Sequence, residues 1–318
     1  MSATQARWLS EAEVAPLLPP PAEAAAIALS VLVGLASGTV EMPPKPAIHP
    51  RADAFVNVMP AYSKGLDAAG VKLVSVFPEN RERGLATISA LVIVLDSATG
   101  AVRGLLGGAA LTGCRTAAAS AACVAQLAPS GHVAITGAGV EARTHLVALD
   151  ALGRRDVVVW DHRSSNLDAL RAWADEHAPE VKLRTAGSAS DAADGAAVVI
   201  TGIPIGASGG RVDPQALRGD VLALPLDYST SIGAETANGA ALLLADDVAQ
   251  LDSYRGSHFG GWRELDGPVG RWLAADAPER PSGQIVVANL GVGAHDVAFG
   301  SAVLDRAESD GVGTLVTI

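Results

Sequence analysis

Cysteine is nearly absent from this 318-residue sequence, which holds only Cys114 and Cys123. Two thiols cannot build a disulfide framework or a four-cysteine zinc site, and they read as reduced thiols of a cytoplasmic protein. Positive charge is also scarce: Lys plus Arg number 23 against 34 Asp plus Glu, a net charge of −11. With no long basic run, the chain is a poor candidate for phosphate-backbone binding, so nucleic acid is not expected as a partner. No apolar run reaches the roughly 20 residues of a membrane span. The most apolar early stretch, Ala24 to Ala36, stops before Gly38 and reads as a buried helix. The N-terminus lacks the charged-then-apolar order and cleavage site of a signal peptide. Histidines are scattered, without a His-Glu-x-x-His pair, so no metal is expected. No Gly-x-Ser-x-Gly elbow is present, which argues against a serine hydrolase.

What is there is an ordinary globular composition, 49% hydrophobic and 18% charged, on a chain long enough for about two domains. Ser10 and Glu13 fit a capping box, and Pro19-Pro20-Pro21 ends the helix they open. A second helix covers Ala22 to Ala36. Glu41 to Pro50 holds four prolines and reads as a loop or edge segment. Strand-like runs follow at Phe55 to Val58, Lys72 to Phe77, Ile88 to Leu95 and Val102 to Leu106, a mostly antiparallel first part. Thr112 to Leu127 is Ala-rich and helical. From His132 the pattern alternates. Apolar strands at Val133 to Thr136, Val157 to Trp160, Ala197 to Thr201, Val221 to Leu226, Ala241 to Ala245 and Gln284 to Ala288 are separated by helices such as Val140 to Leu152 and Asn166 to His177. Continuous apolar strands between helices indicate a parallel sheet covered on both faces. Asp296 to Glu308 reads as a closing helix.

The strongest local signal is Gly137-Ala138-Gly139-Val140-Glu141-Ala142, set between a strand and a helix as the dinucleotide fingerprint requires. Gly137 permits the tight turn, Gly139 lets the backbone approach a pyrophosphate, and Ala142 lets the helix lie close to the strand. The helix N-terminus meets the phosphate charge. Asp161 ends the next strand 22 residues after Gly139, where an acid that binds the adenosine ribose is expected. Asp161 favours NAD; Arg163, two residues on, could pair with a 2′-phosphate and keeps NADP open. Thr116 and Thr201 complete the candidate cofactor set.

Lys72 and Arg115 stand at predicted element ends, where a basic residue could clamp a substrate carboxylate. On spacing alone each reads as a solvated charge. Asp227 ends the strand Val221 to Leu226, at the carboxyl edge where ligands bind in doubly wound sheets. It could take a proton from a substrate amine, or cap the following Tyr228-Ser229-Thr230 turn.

Together these motifs resemble the ornithine cyclodeaminase/mu-crystallin family. The matching segments are Glu41-Met42-Pro43-Pro44-Lys45, Met59-Pro60-Ala61-Tyr62, Gly70-Val71-Lys72, Leu111-Thr112 with Arg115-Thr116-Ala117-Ala118, the glycine motif, and Gly291 to Ala298. The resemblance implies an α/β fold: a Rossmann doubly wound parallel sheet, residues 116–291, inserted in an α+β substrate and dimerisation domain, residues 1–115 plus 292–318. It implies Lys45, Lys72 and Arg115 on the substrate carboxylate, Lys45 standing where many members have arginine. It implies Asp227 near a substrate amine, although the Leu226 and Tyr228-Ser229-Thr230-Ser231 flanks depart from the family's cyclodeaminases. The expected activity is NAD(P)-dependent oxidation or reduction at the α-carbon of an amino acid or its imine, with Lys72 as a further proton carrier. The alternatives are a cyclodeaminase-type lyase using NAD catalytically, and a non-enzymatic NAD(P)-binding protein of the crystallin kind. The few apolar strands of the first part, with an open edge, predict a homodimer.

Overall fold

The computed structural model describes residues 5–318, Arg81 by its backbone only. They divide into two compact units: the residues up to Arg115 together with Val292–Ile318, and Thr116–Gly291. In chain order the strands of the first unit are β1 (Gln5–Leu9), β2 (Val40–Glu41), β3 (Ala47–Arg51), β4 (Ala54–Ser63), β5 (Ala68–Val76), β6 (Ile88–Leu95) and β7 (Val102–Gly107). Those of the second are β8 (Val133–Thr136), β9 (Asp156–Trp160), β10 (Lys182–Thr185), β11 (Val198–Thr201), β12 (Leu222–Pro225), β13 (Leu242–Ala245), β14 (Gly267–Pro268) and β15 (Ile285–Ala288). The first unit regains the chain with the helix Gly293–Asp310 and β16 (Thr314–Thr317).

The sheet of the first unit runs β16-β1-β7-β6-β5-β4-β2, with β3 on β4. It is antiparallel except for β1 against β7. It is larger than the sequence indicated, because β1, β16 and the Pro-containing β3 are short and weakly patterned. Alternation divides its residues by face. The cross-strand row Met59, Lys72, Val92 and Leu106 is buried. Above that face lie the helices Pro21–Ser37 and Gly293–Asp310, whose apolar residues join Ala61 and Ala68 in one core. Two glycines let the closing helix come this close. A Cβ on Gly293 would lie 2.8 Å from the Met59 carbonyl oxygen, and one on Gly300 would lie 3.0 Å from Val92 Cγ1. The helix begins at Gly293 and not at Asp296, so its first turn is already against the sheet. The capping box forms: Ser10 N donates to Glu13 Oε2 at 2.8 Å.

The sheet of the second unit is parallel throughout, in the order β10-β9-β8-β11-β12-β15-β13-β14. Every residue of β8, β11, β12, β13 and β15 is buried, as a sheet covered on both faces demands. Strand order reverses between β8 and β11, and the crevice beyond the carboxyl ends at such a switch point is where doubly wound sheets bind ligands. Among the described residues no single helix is long and apolar enough to cross a membrane.

Candidate functional site

In the second unit, the turn after β8 is built for close approach. Gly137 has φ +93, and a Cβ there would lie 2.7 Å from the Gly202 carbonyl oxygen, beyond the end of β11. A side chain is excluded twice over, by backbone conformation and by space. Gly139 is the N-cap of the helix Val140–Ala151 and offers no side chain to its first turn. A Cβ on Gly139 would meet nothing within 4 Å. The space beyond it is open, and the first backbone N–H groups of a helix are orphan donors with the positive end of the dipole behind them. Val140 stands 63% exposed at that end, while Ala142 is buried against the sheet. Glu141 lies between them in the same turn. This cradle fits a dinucleotide pyrophosphate.

Asp161 is tied to the same turn. Its Oδ2 accepts from Ala138 N at 2.9 Å, and its Oδ1 accepts from Arg163 N at 2.9 Å and Asn166 Nδ2 at 3.1 Å. The carboxylate therefore braces the glycine loop as well as standing where a ribose acid is expected. The Arg163 side chain is exposed; its backbone N–H is what engages Asp161. Thr116 is buried on the helix Ala109–Leu127, one residue after Arg115.

Thr201, expected in the cofactor set, donates its hydroxyl to Asp227 Oδ1 at 2.8 Å. Ser231 Oγ donates to Asp227 Oδ2 at 2.7 Å, and Ser231 N to Oδ1 at 3.4 Å. Asp227 is 1% exposed. Burial pushes its carboxyl above the ordinary Asp value, against the opposing hydrogen bonds of Ser231 and Thr201. No helix opens directly after it: the next begins at Ala234. Tyr228 sits instead at φ +60, an uncommon conformation for a bulky residue. Its ring lies 5.1 Å from that of His258 and 5.5 Å from that of Phe259.

In the first unit, Lys72 and Arg115 are not solvated ends. Lys72 lies in mid-strand on β5 and is 2% exposed; Arg115 is the seventh residue of a helix that starts at Ala109 and is 7% exposed. Both converge on Asp296. Lys72 Nζ lies 2.7 Å from Asp296 Oδ2, and Arg115 Nε donates to Asp296 Oδ1 at 3.1 Å. Burial alone would raise the Asp296 carboxyl, but the neighbouring Arg115 and Lys72 charges outweigh it and hold it below the ordinary value. Beside it His295 gives a hydrogen-bond contact to the Ala28 carbonyl at 3.2 Å. Burial, reinforced by Arg115, pushes the imidazole down to about 4, so it is neutral at physiological pH.

Lys45 is half-buried in the segment before β3. Ala47 pairs with Asn57, and Val58 N donates to the Pro46 carbonyl at 3.1 Å. Extending that register sets Lys45 opposite Met59, in the row that contains Lys72.

Asp296 carries no role in the sequence reading, although it lies in the Gly291 to Ala298 segment. The signal is an acid on the same helical face as Gly293 and Gly300, in a run that is otherwise small or apolar except for His295. Asn57 is a second such residue. It is 7% exposed on the inner face of β4, diagonal to Lys72, and its side-chain oxygen has no hydrogen-bond partner among the described residues. A buried acceptor left unpaired is costly, so it marks a place for a donor.

The sequence profile of the ornithine cyclodeaminase/mu-crystallin family matches residues 18–208. Nodulation efficiency protein NfeD of Rhizobium meliloti is 32% identical over 98% of this chain and 98% of its own. Delta(1)-pyrroline-2-carboxylate reductase 1 of Burkholderia multivorans is 37% identical over 44% of this chain and 45% of its own. Among solved structures, the iminosuccinate reductase of Paracoccus denitrificans in complex with NAD+ superposes with a TM-score of 0.85 at 23% identity, covering 99% of this chain and 100% of that one.

Proposed function

The chain belongs to the ornithine cyclodeaminase/mu-crystallin family, and on that premise we propose that it is an NAD(P)-dependent oxidoreductase acting at the α-carbon of an amino acid or its cyclic imine. The observation that carries this reading is the convergence of Lys72 and Arg115, distant in sequence, on one buried carboxylate. Two cations held out of water beside one anion make a positively charged place that suits a substrate carboxylate. The glycine turn of the second unit supplies the place for the dinucleotide, with Asp161 at the adenosine ribose. An acidic side chain at the ribose favours NAD over NADP.

When bound, the nicotinamide supplies hydride exchange with the substrate α-carbon. The chain's own residues do the rest. Lys72 and Arg115, with Lys45 at the edge of the row, fix the carboxylate and so the orientation of the α-carbon. Asn57 Oδ1 accepts from the substrate nitrogen. Asp227, its carboxyl raised by burial, is the acid–base group that the second unit offers for the substrate amine or imine. Lys72 is a binding residue here and not the proton carrier, because its ammonium is committed to Asp296.

We also read the first unit as the dimerisation unit. The outer face of its sheet carries an apolar row, Pro60, Val71, Ile93, Leu105 and Trp8. Trp8, Val58 and Leu73 are 39–43% exposed there. An apolar sheet face of that extent needs cover, and a second copy supplies it. The two free cysteines support a reducing, cytoplasmic setting.

The test is a panel of amino acids with NAD and of cyclic imine carboxylates with NADH or NADPH, followed by reduced-nicotinamide absorbance in both directions. Turnover with a cyclic imine or an amino acid supports the proposal. Ammonia release without net NADH assigns the lyase reading, and tight cofactor binding without turnover assigns the binding-protein reading; either overturns it.

A further inference from the structure

We propose that Tyr228 is the positioning residue of Asp227: its ring, anchored among Tyr254, His258 and Phe259, holds the turn that sets the Asp227 carboxylate in place. This deepens the proposed function and rests on its assignment of Asp227 as the acid–base group of the second unit.

The chain reverses just after β12. Thr230 N donates to the Asp227 carbonyl at 3.1 Å, closing a four-residue turn in which Tyr228 stands second. Tyr228 has φ +60. A positive φ at that position belongs to the primed turns, which Gly, Asn and Asp dominate. A bulky side chain there is strained, and such strain persists only where the surroundings over-determine it. Local preference therefore does not account for the residue; what its ring touches does. The rings of Tyr254, His258 and Phe259 have centroids 5.6, 5.1 and 5.5 Å from that of Tyr228, within the range of favourable aromatic pairing. His258 meets it edge-on. Phe259 is fully buried in the core of the second unit, which fixes the anchor. The next residue is tied to the same wall, because Ser229 Oγ donates to the His258 carbonyl.

Asp227, one residue before the ring, accepts from Thr201 Oγ1 at 2.8 Å and from Ser231 Oγ at 2.7 Å. Thr201 ends β11 and Ser231 follows the turn, so the two hydroxyls are set by different stretches of chain. Relaxing φ at Tyr228 would redirect the chain between Asp227 and Ser231 and separate the carboxylate from one of them. The far half of the turn is held as well. Arg211 Nη1 donates to the Ser229 carbonyl at 3.0 Å, and Gly206 N to Thr230 Oγ1 at 2.9 Å. Tyr228 alone supplies the turn with an aromatic anchor, at the position where its backbone is least at ease.

The experiment compares Tyr228→Gly with Tyr228→Phe in the holoenzyme. Glycine suits the turn but carries no ring; phenylalanine keeps the ring. Folded sites are counted by NADH titration, kcat and KM are measured with a cyclic imine carboxylate, and crystal structures of both variants report the Asp227 pairs. Tyr228→Gly is expected to lose at least one hydroxyl pair and to lower kcat by about 10–100-fold, with KM and NADH affinity within about threefold of wild type, the pattern of a catalytic group displaced by about 1 Å. Tyr228→Phe is expected to keep both pairs and a kcat within about threefold of wild type. If Tyr228→Gly does not fold, Ser229→Ala, which removes the second tie to His258, takes its place with an expected loss of about 3–10-fold in kcat. Both pairs intact in the Tyr228→Gly crystal overturn the proposal, as does Tyr228→Phe being as slow as Tyr228→Gly. Where Asp227→Asn slows turnover, a Tyr228→Gly kcat near wild type overturns it too. If the wild type turns over no substrate, or Asp227→Asn is as fast as wild type, the acid–base reading falls and the crystal alone decides the positioning: pairs kept overturn it, a lost pair supports it.

Discussion

Acidification will destabilise both units through one buried histidine in each. His145 and His295 are both 1% exposed, and burial pushes both imidazoles down to about 4 from the ordinary 6.5. In the folded protein they stay neutral where the unfolded chain would protonate them. The unfolded state therefore binds more protons, and stability falls as pH drops below 6.5 toward 4. At ~1.4 kcal/mol per pH unit per proton, acidifying to about pH 5 costs ~2 kcal/mol for each histidine and ~4 kcal/mol for both. That is a large share of a typical folding free energy. Desolvation is why protonation is unfavourable. His145 lies between the Glu141 carbonyl at 2.6 Å and Ser120 Oγ at 2.9 Å, and its burial outweighs the hydrogen bond to that carbonyl, which favours the charged ring. His295 sits beside Arg115, Lys72 and Asp296, whose net positive charge opposes a further proton. Urea denaturation between about pH 7.5 and about pH 5 measures the slope. Far-UV circular dichroism follows the whole chain, and tryptophan fluorescence reports mainly the second unit, which holds four of the five tryptophans. His145→Gln and His295→Gln should each lower stability at neutral pH and remove about one proton from the slope. A wild-type loss under ~1 kcal/mol, or an unchanged slope in the double variant, would refute the reasoning.

Other consequences are open to direct measurement. Asp227→Asn should lower turnover by about 10²–10⁴ while NADH affinity, read by fluorescence titration, stays near wild type; turnover within a few-fold would remove Asp227 from the proton path. Gly137→Ala forces a side chain into a left-handed conformation against the Gly202 carbonyl, and should cost ~1–3 kcal/mol of stability together with most cofactor binding. Unaltered NADH titration would show that this turn does not seat the dinucleotide. Leu73→Asp on the outer sheet face should lower the mass found by sedimentation to that of one chain; a monomeric wild type would dispose of the dimer instead. Burial pushes the Cys114 thiol up to about 11 and the Cys123 thiol up to about 12, so both should resist alkylation at neutral pH until the chain is unfolded.

Six strands of the parallel sheet were legible from sequence because they are largely buried on both faces and appear as unbroken apolar runs, whereas the edge strands β10 and β14 are exposed or half-buried and show no such run. The glycine turn was legible for a related reason: Gly137 is required locally, by its own φ and its closest neighbour. The first unit was harder to read. β1 and β16 are short, and their pairing joins opposite ends of the described chain, which no local pattern announces. Lys72 and Arg115 were nominated by their residue type and by resemblance, but their depth depends on the long-range register of β4, β5 and β6. Asp296 was missed because its meaning comes from partners 181 and more residues away. Asn57 was missed because a single polar residue in a strand shows its unpaired oxygen only once the sheet is assembled.

That separation along the chain has a consequence for synthesis. The second unit is one continuous stretch, Thr116–Gly291, and has all its strands once Gly291 has left the ribosome. The first unit begins earlier but cannot finish earlier. Its inner sheet face is covered in part by Gly293–Asp310, and the counter-charge for Lys72 and Arg115 arrives on that same helix. Until then Lys72 and Arg115 lack the Asp296 carboxylate, and burying two cations without it is unfavourable. The insertion therefore lets the part made second complete its chain first, while the part made first receives its last helix and the Asp296 carboxylate only afterwards.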